Sequence, residues 1–388
     1  MKKQKTPKGG YTYQSTQNYF AQVGEGLETL AEEELLALGA QHVKLAYRGM
    51  YFKAEAKALY RITYMSRFIQ KIIATLEFFD CHSTNYLYQR ASAIEWSDFL
   101  TPDSTFAIFS NVSNSHIRHS KYAALCVKDS IADYFTKRFD KRPNVDTDTP
   151  DVWFSLFIHS NRAVIGLEVS GGSLHKRGYR AVGHEAPMQE TIAAAIIKQT
   201  EWDGERALID PMCGSGTLLC EALMHYCRIP SGYLRPRFGF ESLPDFDADQ
   251  WKQVKKSCNG AIRELPADLV SGSDISEKAI EATLANLNCL PYGDQVKLKP
   301  MDFRHIKALE NTTIVSNPPY GLRLQKKEGM ALFCKELGDF LKQQCTGSSA
   351  YLYFGDRQWI KSIGLKTTWK RPLASGGLDG RLVKLDLY

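Results

Sequence analysis

The sequence lacks any long apolar run. A transmembrane helix needs roughly 20 consecutive apolar residues, and no stretch of this 388-residue chain approaches that length. The first residues, MKKQKTPKGGYTYQ, are basic and lack the apolar core of a secretory signal. We therefore expect no membrane-spanning helix and no secretory signal.

Clustered cysteines are lacking as well. The chain has 9 cysteines, scattered singly, and none forms the C-x-x-C pair typical of zinc sites. Cys213, Cys220 and Cys227 recur every seven residues, which predicts buried reduced thiols on one helical face. Reduced thiols without an export signal predict a cytoplasmic protein, and no metal is expected.

The length predicts two or three domains. Residues 1–17 are expected to form a basic disordered tail, with contact to nucleic acid as the alternative. From Asn18 to about residue 165, strands alternate with helices, which predicts an α+β module with antiparallel sheets. The predicted elements are a strand at NYFAQV, a helix ending at Gly39, a hairpin around Arg48-Gly49, helical residues 54–74, a strand at 105–113, a helix at 121–139 and two strands joined at Ser160-Asn161.

After Ser170 the pattern changes. A Gly-rich, charged connector leads to a helix that Pro187 is expected to open. Apolar segments such as ALIDP, LVSGSD and TTIVS then alternate with helical segments, which is typical of a mostly parallel, doubly wound sheet. Residues 366–388 predict an antiparallel hairpin at its edge, and residues 228–265 an insertion that covers the site.

The segment DPMCGSGT, residues 210–217, follows one of these strands and opens a helix. Glycines let a ligand approach the backbone, and a helix N-terminus offers unpaired N–H groups. The third glycine of a dinucleotide fingerprint is absent, which disfavours an NAD site. The P-loop motif with its lysine is absent as well, which disfavours a P-loop nucleotide site. A plain Gly-rich turn is the alternative to a ligand site.

Two further acids end predicted strands of the same sheet. Asp274 in SGSDIS is placed to accept hydrogen bonds from ribose hydroxyls, and Asp302 in KPMDF to meet an adenine amino group. Each is alternatively a helix cap or a surface acid. Together with Asp210 they could also form a metal-binding triad, although no histidine joins them in sequence.

The segment SNPPY, residues 316–320, ends another strand with two prolines. Proline lacks an N–H group, so this corner presents acceptors. Asn317 Oδ1 and the Pro318 carbonyl could accept hydrogen bonds from an exocyclic base amine, while Tyr320 stacks on the base and Pro319 stiffens the corner. A proline-terminated strand with an outward tyrosine is the structural alternative.

The net charge of +6 does not by itself indicate a polyanionic partner, but basic residues cluster. One cluster lies between His116 and Arg142, and another, with His175, Lys176, Arg177 and Arg180, lies in the connector. Both could bind phosphates, or form a solvated face and interdomain ion pairs. Arg235 and Arg237 with Phe238 and Phe240 suit either single-stranded RNA or core packing.

Taken together, these motifs resemble a known enzyme family. DPMCGSGTLLCEA followed by SNPPYGLRL is similar to class I methyltransferases that use S-adenosylmethionine to modify base amines. SLHKRGYR, APMQETIAAAII and RPNVDTDTPDVWFSLFIH resemble the N-terminal half of RlmL-type rRNA guanine-N2 methyltransferases of the UPF0020 family. The resemblance runs from about Asn18 to Tyr388 and does not reach the family's second half, so the 7-methylguanine activity is not expected.

The resemblance implies a domain order. A ferredoxin-like segment (18–65) and an RNA-binding THUMP domain (66–168) would precede a Rossmann-like class I methyltransferase domain (169–388), which gives an α/β fold after an α+β module. The stretch SHIRHSKYAALCVKDSI falls in THUMP, so Arg118, Lys121 and Lys128 gain an RNA-binding interpretation beside the connector residues.

The resemblance also assigns the site. Asp210, Gly214 and Gly216 match the donor-binding loop, which also holds Pro211, Cys213, Ser215 and Thr217. Asp274 matches the ribose acid and Asp302 the adenine-side acid. The catalytic amine-binding loop matches Asn317, Pro318, Pro319 and Tyr320, and Asn317 is expected to contact the cofactor as well. The implied cofactor is S-adenosylmethionine, and the implied partner is 23S rRNA or a large-subunit precursor. The alternatives are an adenine-amine nucleic-acid methyltransferase and a non-catalytic RNA-binding ribosome assembly factor.

Overall fold

The computed structural model describes residues 10–181, 188–319 and 327–388. In the first range the helices are α1 (Thr12–Thr16), α2 (Glu28–Leu38), α3 (Ala56–Met65), α4 (Thr84–Ser92) and α5 (Ser120–Phe139). The strands are β1 (Asn18–Val23), β2 (Gln41–Ala46), β3 (Gly49–Lys53), β4 (Ile69–Asp80), β5 (Thr105–Ser113), β6 (Asn144–Val145), β7 (Val152–His159) and β8 (Arg162–Glu168). They form one sheet in the order β2-β3-β1-β4-β8-β7-β5-β6.

The other two ranges build a second sheet. Their helices are α6 (Glu190–Gln199), α7 (Thr217–Tyr226), α8 (Ala248–Asn259), α9 (Glu277–Leu287) and α10 (Lys327–Gln344). Their strands are β9 (Leu208–Asp210), β10 (Val270–Asp274), β11 (Lys297–Pro300), β12 (Thr313–Ser316), β13 (Ser349–Phe354), β14 (Trp369–Pro372) and β15 (Arg381–Asp386), in the order β11-β10-β9-β12-β13-β15-β14.

The second sheet confirms the predicted fold class. Strands β9 to β13 pair in parallel, so their carboxyl ends meet at one edge of the sheet. Strands β15 and β14 add the expected antiparallel hairpin beside β13. The order changes direction at β9, because β10 lies on one side of it and β12 on the other. Ligands of such sheets bind at that switch point.

The prediction of helical residues 54–74 was wrong in its second half. The helix ends at Met65, and residues from Ile69 onward form β4, which pairs with β1 on one side and β8 on the other. The β-branched Ile69, Ile72 and Ile73 favour a strand, and burial on both faces hides the alternation that would have distinguished it from a helix. Strand β4 therefore joins the two predicted N-terminal domains into one sheet.

Two other predictions for this half need correction. The sheet is not purely antiparallel, since β5 pairs in parallel with both β6 and β7. The prediction of a disordered tail was wrong for residues 10–17, because α1 lies there and packs against the sheet. Tyr11 and Tyr13 are buried there, and the Tyr13 hydroxyl donates to Asp245 Oδ1 at 2.6 Å. Residues 1–9 and the predicted role of Pro187 lie outside the described residues.

The insertion at 228–265 holds the two halves together and does not cover the site. Helix α8 packs against α3. Phe238 and Phe240 are buried and stack on each other, which supports core packing rather than RNA contact. The Arg235 guanidinium donates to the backbone carbonyls of Ser170, Gly171 and Ser173, so it also acts as a structural residue.

A buried ion pair lies at the same junction. Glu221, on α7, is fully buried and accepts a hydrogen bond from Arg177 Nε at 3.3 Å and from the Tyr179 hydroxyl at 3.2 Å. Arg67, at the end of α3, places Nη1 3.6 Å from the second Glu221 oxygen. Arg177 also donates to the Arg67 carbonyl at 2.6 Å. One carboxylate on α7 thus links the N-terminal module, the connector and the part of the chain that forms the second sheet.

Replacing Arg177 by alanine is expected to lower the free energy of unfolding by about 3 kcal/mol or more, because Glu221 would keep its buried charge without its main partner. Urea unfolding followed by tryptophan fluorescence measures this change. The matched control is Lys141→Ala, since Lys141 pairs with Asp103 at the exposed surface and its loss should change stability by less than about 1 kcal/mol. Equal effects of the two substitutions would contradict the structural role of the buried pair.

Candidate active site

A cavity of about 350 Å³ opens at the carboxyl edge of the parallel sheet, around the switch point at β9. Its wall comes from the segments that follow β9, β10, β11 and β12. The lining residues are Met188, Asp210, Pro211, Met212, Cys213, Gly214, Ser215, Thr217, Leu218, Asp274, Ile275, Ser276, Ala279, Asp302, Phe303, Arg304, Asn317, Pro319 and Phe333. The cavity thus brings together the predicted Gly-rich turn, both strand-end acids and the proline-rich corner.

The turn between β9 and α7 requires glycine. Gly214 and Gly216 both adopt positive φ, at 55° and 75°, where side chains are disfavoured. A Cβ on Gly216 would also lie 2.5 Å from Thr283 Cγ2 on α9. Gly216 then serves as the N-cap of α7. The backbone therefore passes close to α9 and leaves the cavity side of the turn open.

Hydrogen bonds from two neighbouring elements hold this turn. Asp274 Oδ2, at the end of β10, accepts from the Gly214 N–H at 2.9 Å. On α9, the Thr283 hydroxyl donates to the Gly214 carbonyl at 2.7 Å and Asn286 Nδ2 to the Ser215 carbonyl at 2.9 Å. Cys213 is buried beneath the turn, and burial raises the pKa of its thiol well above the usual range.

Asp210 lies at the base of the cavity and is almost completely buried. Its Oδ1 accepts a hydrogen bond from the Ser316 hydroxyl at 2.8 Å and from the Met212 N–H at 3.1 Å. Burial raises the pKa of Asp210 to about 7, with the nearby charge of Asp274 adding to the shift. Ser316 was not predicted, although its place beside Asn317 at the end of a buried strand was the available signal.

The two strand-end acids differ in their surroundings. Asp274 uses Oδ1 to accept from the Ser276 N–H at 2.9 Å, so both oxygens contact backbone while the side chain still lines the cavity. Asp302 is paired with Arg304, whose backbone N–H and Nη1 donate to its two oxygens at 2.9 and 2.8 Å. Arg304 Nη2 also donates a hydrogen bond to Glu336 Oε2 at 2.6 Å. This Asp302–Arg304–Glu336 network was not predicted.

The proline-rich corner forms the opposite wall. Asn317 and Pro319 line the cavity and Pro318 is buried behind them. Within the described part of the chain, Asn317 Oδ1 is buried and has no hydrogen-bond partner. A buried acceptor without a donor is unfavourable by about 1–3 kcal/mol, which indicates that a ligand supplies the missing N–H or O–H group. Tyr320 lies outside the described residues.

Several apolar cavity residues were also missed. Ile275 and Phe303 each directly follow a predicted site acid, and Ile275 remains 72% exposed beside the cavity. Their positions in sequence could have identified them. Phe333, on α10, is distant in sequence from every motif, and Met188 lies in APMQETIAAAII but far from the predicted site residues, so only the fold shows that they reach the site.

The basic residues of the connector mostly serve the structure. Arg177 is 1% exposed and paired with Glu221, so the prediction that it contacts RNA is corrected. Arg180 donates to Glu190 at 2.6 Å, to the Met188 carbonyl at 2.6 Å and to Thr217 Oγ1 at 3.3 Å, which ties the connector to the cavity wall. Lys176 is exposed. Burial, together with the Arg177 charge, lowers the pKa of His175 to about 4.

The predicted THUMP residues lie on the surface. Arg118 and Lys121 are exposed, and Arg118 lies beside His82 and His116 at the start of α4 and α5. Lys128 is half-buried and pairs with Asp129 at 2.8 Å. Across residues 10–181, 188–319 and 327–388, no group of three or more His, Cys, Asp or Glu side chains could hold a metal ion. No helix in these ranges is long and apolar enough to span a bilayer.

Three family descriptions match consecutive parts of the chain. Residues 18–73 match the RlmL ferredoxin-like domain, residues 81–168 the THUMP domain, and residues 177–384 the RMKL-like methyltransferase domain of UPF0020. The last of these covers more than half of the chain.

Among curated proteins, a Synechocystis protein named provisionally as an RNA methyltransferase is 35% identical over 96% of this chain and 98% of its own length. The ribosomal RNA large subunit methyltransferase K/L of Photobacterium profundum is 35% identical over 93% of this chain. The alignment spans only 52% of that enzyme, so the chain covers about half the length of the K/L relatives.

Solved structures match nearly the whole chain. The methyltransferase candidate SMU.472, crystallised with S-adenosylhomocysteine, superposes with a TM-score of 0.83 at 25% identity, covering 96% of this chain and 98% of that one. A methylase candidate from Clostridium difficile 630 gives a TM-score of 0.81 at 26% identity over 95% and 97% of the two chains. With its ferredoxin-like, THUMP and methyltransferase parts in this order, the chain belongs to the UPF0020 family of RMKL-like methyltransferases.

Proposed function

We propose that this protein transfers a methyl group from S-adenosylmethionine to the exocyclic N2 amine of a guanine in 23S rRNA. The observation that carries the proposal is the single cavity that joins an open Gly-rich turn to the unpartnered Asn317 Oδ1. The relatives' names supply the substrate class, since they describe RNA and large-subunit rRNA methyltransferases. We place the reaction in the cytoplasm, on rRNA or a large-subunit precursor.

The residues of the donor side fit S-adenosylmethionine. Gly214 lines the cavity without a side chain, Gly216 lets the turn pack closely on α9, and α7 begins there with unpaired N–H groups that suit a carboxylate. Asp274 keeps further lone pairs that can accept from ribose hydroxyls. Ile275 and Phe303 provide apolar surface for an adenine ring. Bound there, S-adenosylmethionine supplies an electrophilic methyl group.

The acceptor side activates a poor nucleophile. The lone pair of a base amine is delocalised into the ring, so hydrogen bonds that draw its protons toward acceptors raise electron density on nitrogen. Asn317 Oδ1 is the buried acceptor for one proton, and the Pro318 carbonyl is the proposed acceptor for the other. With S-adenosylmethionine bound, its methyl group would pass to the amine nitrogen held by Asn317 Oδ1 and the Pro318 carbonyl, and the nitrogen would release one proton to water. Tyr320 is proposed to stack on the base and fix its plane.

Catalysis of this kind depends on positioning. Two prolines restrict the backbone on the carboxyl side of Asn317. On the amino side of Asn317, the Ser316 hydroxyl donates a hydrogen bond to Asp210. The corner is thus fixed from both directions. The target base must leave its stack or be unpaired to reach the cavity. Residues lining this half of the site are proposed to recognise guanine, and the K/L enzymes' second activity is not assigned to this chain.

Purified protein incubated with labelled S-adenosylmethionine and unmodified 23S rRNA should yield N2-methylguanosine, detected after digestion to nucleosides by mass spectrometry. DNA of matched length and rRNA already methylated at the target position serve as controls. Label in 6-methyladenosine would show that the acceptor is adenine. An absence of label, with normal binding of RNA, would favour a non-catalytic assembly role.

Asn317→Ala removes the buried acceptor while leaving the donor side intact. We expect the methylation rate to fall by about 100-fold or more, because the amine is no longer positioned for attack, while affinity for S-adenosylmethionine stays within a few-fold of the natural protein. The control is Asn288→Ala at the exposed end of α9. Single-turnover kinetics and isothermal titration separate the two quantities, and an unchanged rate would remove Asn317 from the mechanism.

The raised pKa of Asp210 predicts how stability depends on pH. Because the pKa of Asp210 is about 7 in the folded protein and 3.8 ordinarily, Asp210 is more protonated in the folded state between these values, so its contribution to stability falls as pH rises from about 4 to 7 and then levels off. Asp210→Asn keeps the acceptor for Ser316 and removes this titration. As pH rises across this range, the stability of Asp210→Asn should therefore increase relative to that of the natural protein.

Urea unfolding at several pH values between 4 and 8 measures the difference. Asp339→Asn, at an exposed position of α10, is the control and should follow the natural protein at every pH. A constant difference between Asp210→Asn and the natural protein would show that Asp210 does not titrate in this range.

A further inference from the structure

One face of the N-terminal sheet exposes an unusual number of aromatic side chains. Phe78 is 55% exposed and Phe109 and Tyr51 are each 41% exposed, while Phe20, Trp153 and Phe157 are half-buried. Soluble proteins rarely leave large apolar side chains contiguous on a surface unless a partner covers them. The set Phe20, Tyr51, Phe78, Phe109, Trp153 and Phe157 is called here the aromatic face.

Strand pairing shows that these residues share a side of the sheet, since directly paired residues point to the same face. Phe78 pairs with Val164, which pairs with Phe157. Tyr51 pairs with Phe20, and their ring centroids are 5.1 Å apart. Phe109 lies two residues before Asn111, the partner of Phe157, and the two rings are 6.2 Å apart.

The helices lie against the other side of this sheet. Phe154, between Trp153 and Ser155 on β7, is fully buried and contacts Trp96 and Phe99 beneath the sheet. Tyr19, next to Phe20 on β1, contacts Tyr13 of α1 on that same side. The alternation of β-strands therefore turns the neighbouring Trp153 and Phe20 outward.

The centre of the aromatic face is lined by small residues and crossed by a paired lysine. Phe109 pairs with Ser155, and Ser155 with Gly166, so small residues lie between the rings. Lys71 crosses this area, with Nζ 4.9 Å from the centroid of Phe109 and 5.6 Å from that of Trp153. Its ion pair with Glu168, at 2.9 Å, fixes it there.

Charges around the rings favour a polyanion. Lys44 pairs with Tyr51, and Lys53 with Asn18, on the same face, and Arg162 follows at the far end of β8. The acids on this face are Glu168, which is neutralised by Lys71, and Asp80, which lies 3.8 Å from Arg162. Flat rings between cations match the chemistry of single-stranded nucleic acid, where bases stack and phosphates contact Lys and Arg.

We propose that the aromatic face binds an unpaired segment of the RNA substrate by stacking bases on Phe109, Phe157 and the rings beside them. This proposal rests on the proposed RNA substrate and adds a docking surface outside the catalytic cavity. Trp153 and Phe157 are four residues apart on one strand, about 13 Å, so they would contact different nucleotides. Stacking is tolerant of sequence, so this surface supplies affinity and leaves selection of the target base to the cavity.

The test uses the full chain, a short fluorescein-labelled oligouridylate and an RNA duplex of equal length. The natural protein should bind the single strand in preference to the duplex. Phe109→Ala with Phe157→Ala should weaken single-strand binding by about tenfold or more, whereas Phe109→Tyr with Phe157→Tyr should restore it. Tyr388→Ala, at a 98% exposed aromatic residue outside this face, is the control and should bind like the natural protein.

Methylation and association measurements complete the test. The alanine variant should raise KM for rRNA and leave kcat and S-adenosylmethionine affinity unchanged. If the double variant does not fold, the same measurements are made on Phe109→Ala and Phe157→Ala separately. The proposal would be overturned if the alanine variants bound oligouridylate as tightly as the natural protein. It would also be overturned if the natural protein formed a dimer and the alanine substitutions made it monomeric. If the natural protein does not methylate rRNA, the proposed function is wrong. Oligouridylate binding then still tests, independently of methylation, whether the aromatic face binds RNA.

Discussion

The hydrogen bond from the Gly214 N–H to Asp274 Oδ2 fixes the geometry on which the site depends. It joins the turn after one parallel strand to the end of its neighbour, and Thr283 and Asn286 hold the carbonyls of the same turn from α9. Asn286 also accepts from the Ala181 N–H at 2.9 Å. One buried amide therefore connects the cavity wall to the connector from the N-terminal module.

This connection explains why the two halves of the chain form one body. Helix α7 begins at the open turn, and one turn later its Glu221 is bound by Arg177 and Tyr179 of the connector. Arg67, which directly follows α3 and its cap, pairs with the same glutamate, and α8 of the insertion packs against α3. The N-terminal module is thus held against the first helix after the Gly-rich turn, which fixes the position of the module relative to the cavity.

Much of this architecture could be predicted because its signals are local. The Gly-rich turn, the strand-end acids and the proline corner each occupy a few consecutive residues, and parallel strands place their ends together. The charges of Arg177 and Arg180 were harder to interpret, since an arginine in a connector has the same sequence signal whether it meets phosphate or a buried glutamate. Strand β4 was missed in part because its first half is buried on both faces, so its sequence does not alternate there.

The remaining features depend on pairing over long distances in sequence. Phe333 and Met188 reach the cavity only through the packing of α10 and the connector. The aromatic face is assembled from β1, β3, β4, β5 and β7, and each strand contributes only one or two rings. No single segment carries a recognisable motif for that surface, so it became visible only from the strand register.

The most direct measurement of the central claim is a crystal structure of the protein with S-adenosylhomocysteine. The account predicts density for the nucleoside in the cavity beside Gly214, with ribose hydroxyls within hydrogen-bonding distance of Asp274 and the sulfur facing Asn317. Density for the nucleoside at another edge of the sheet, or a sulfur directed away from Asn317, would contradict it.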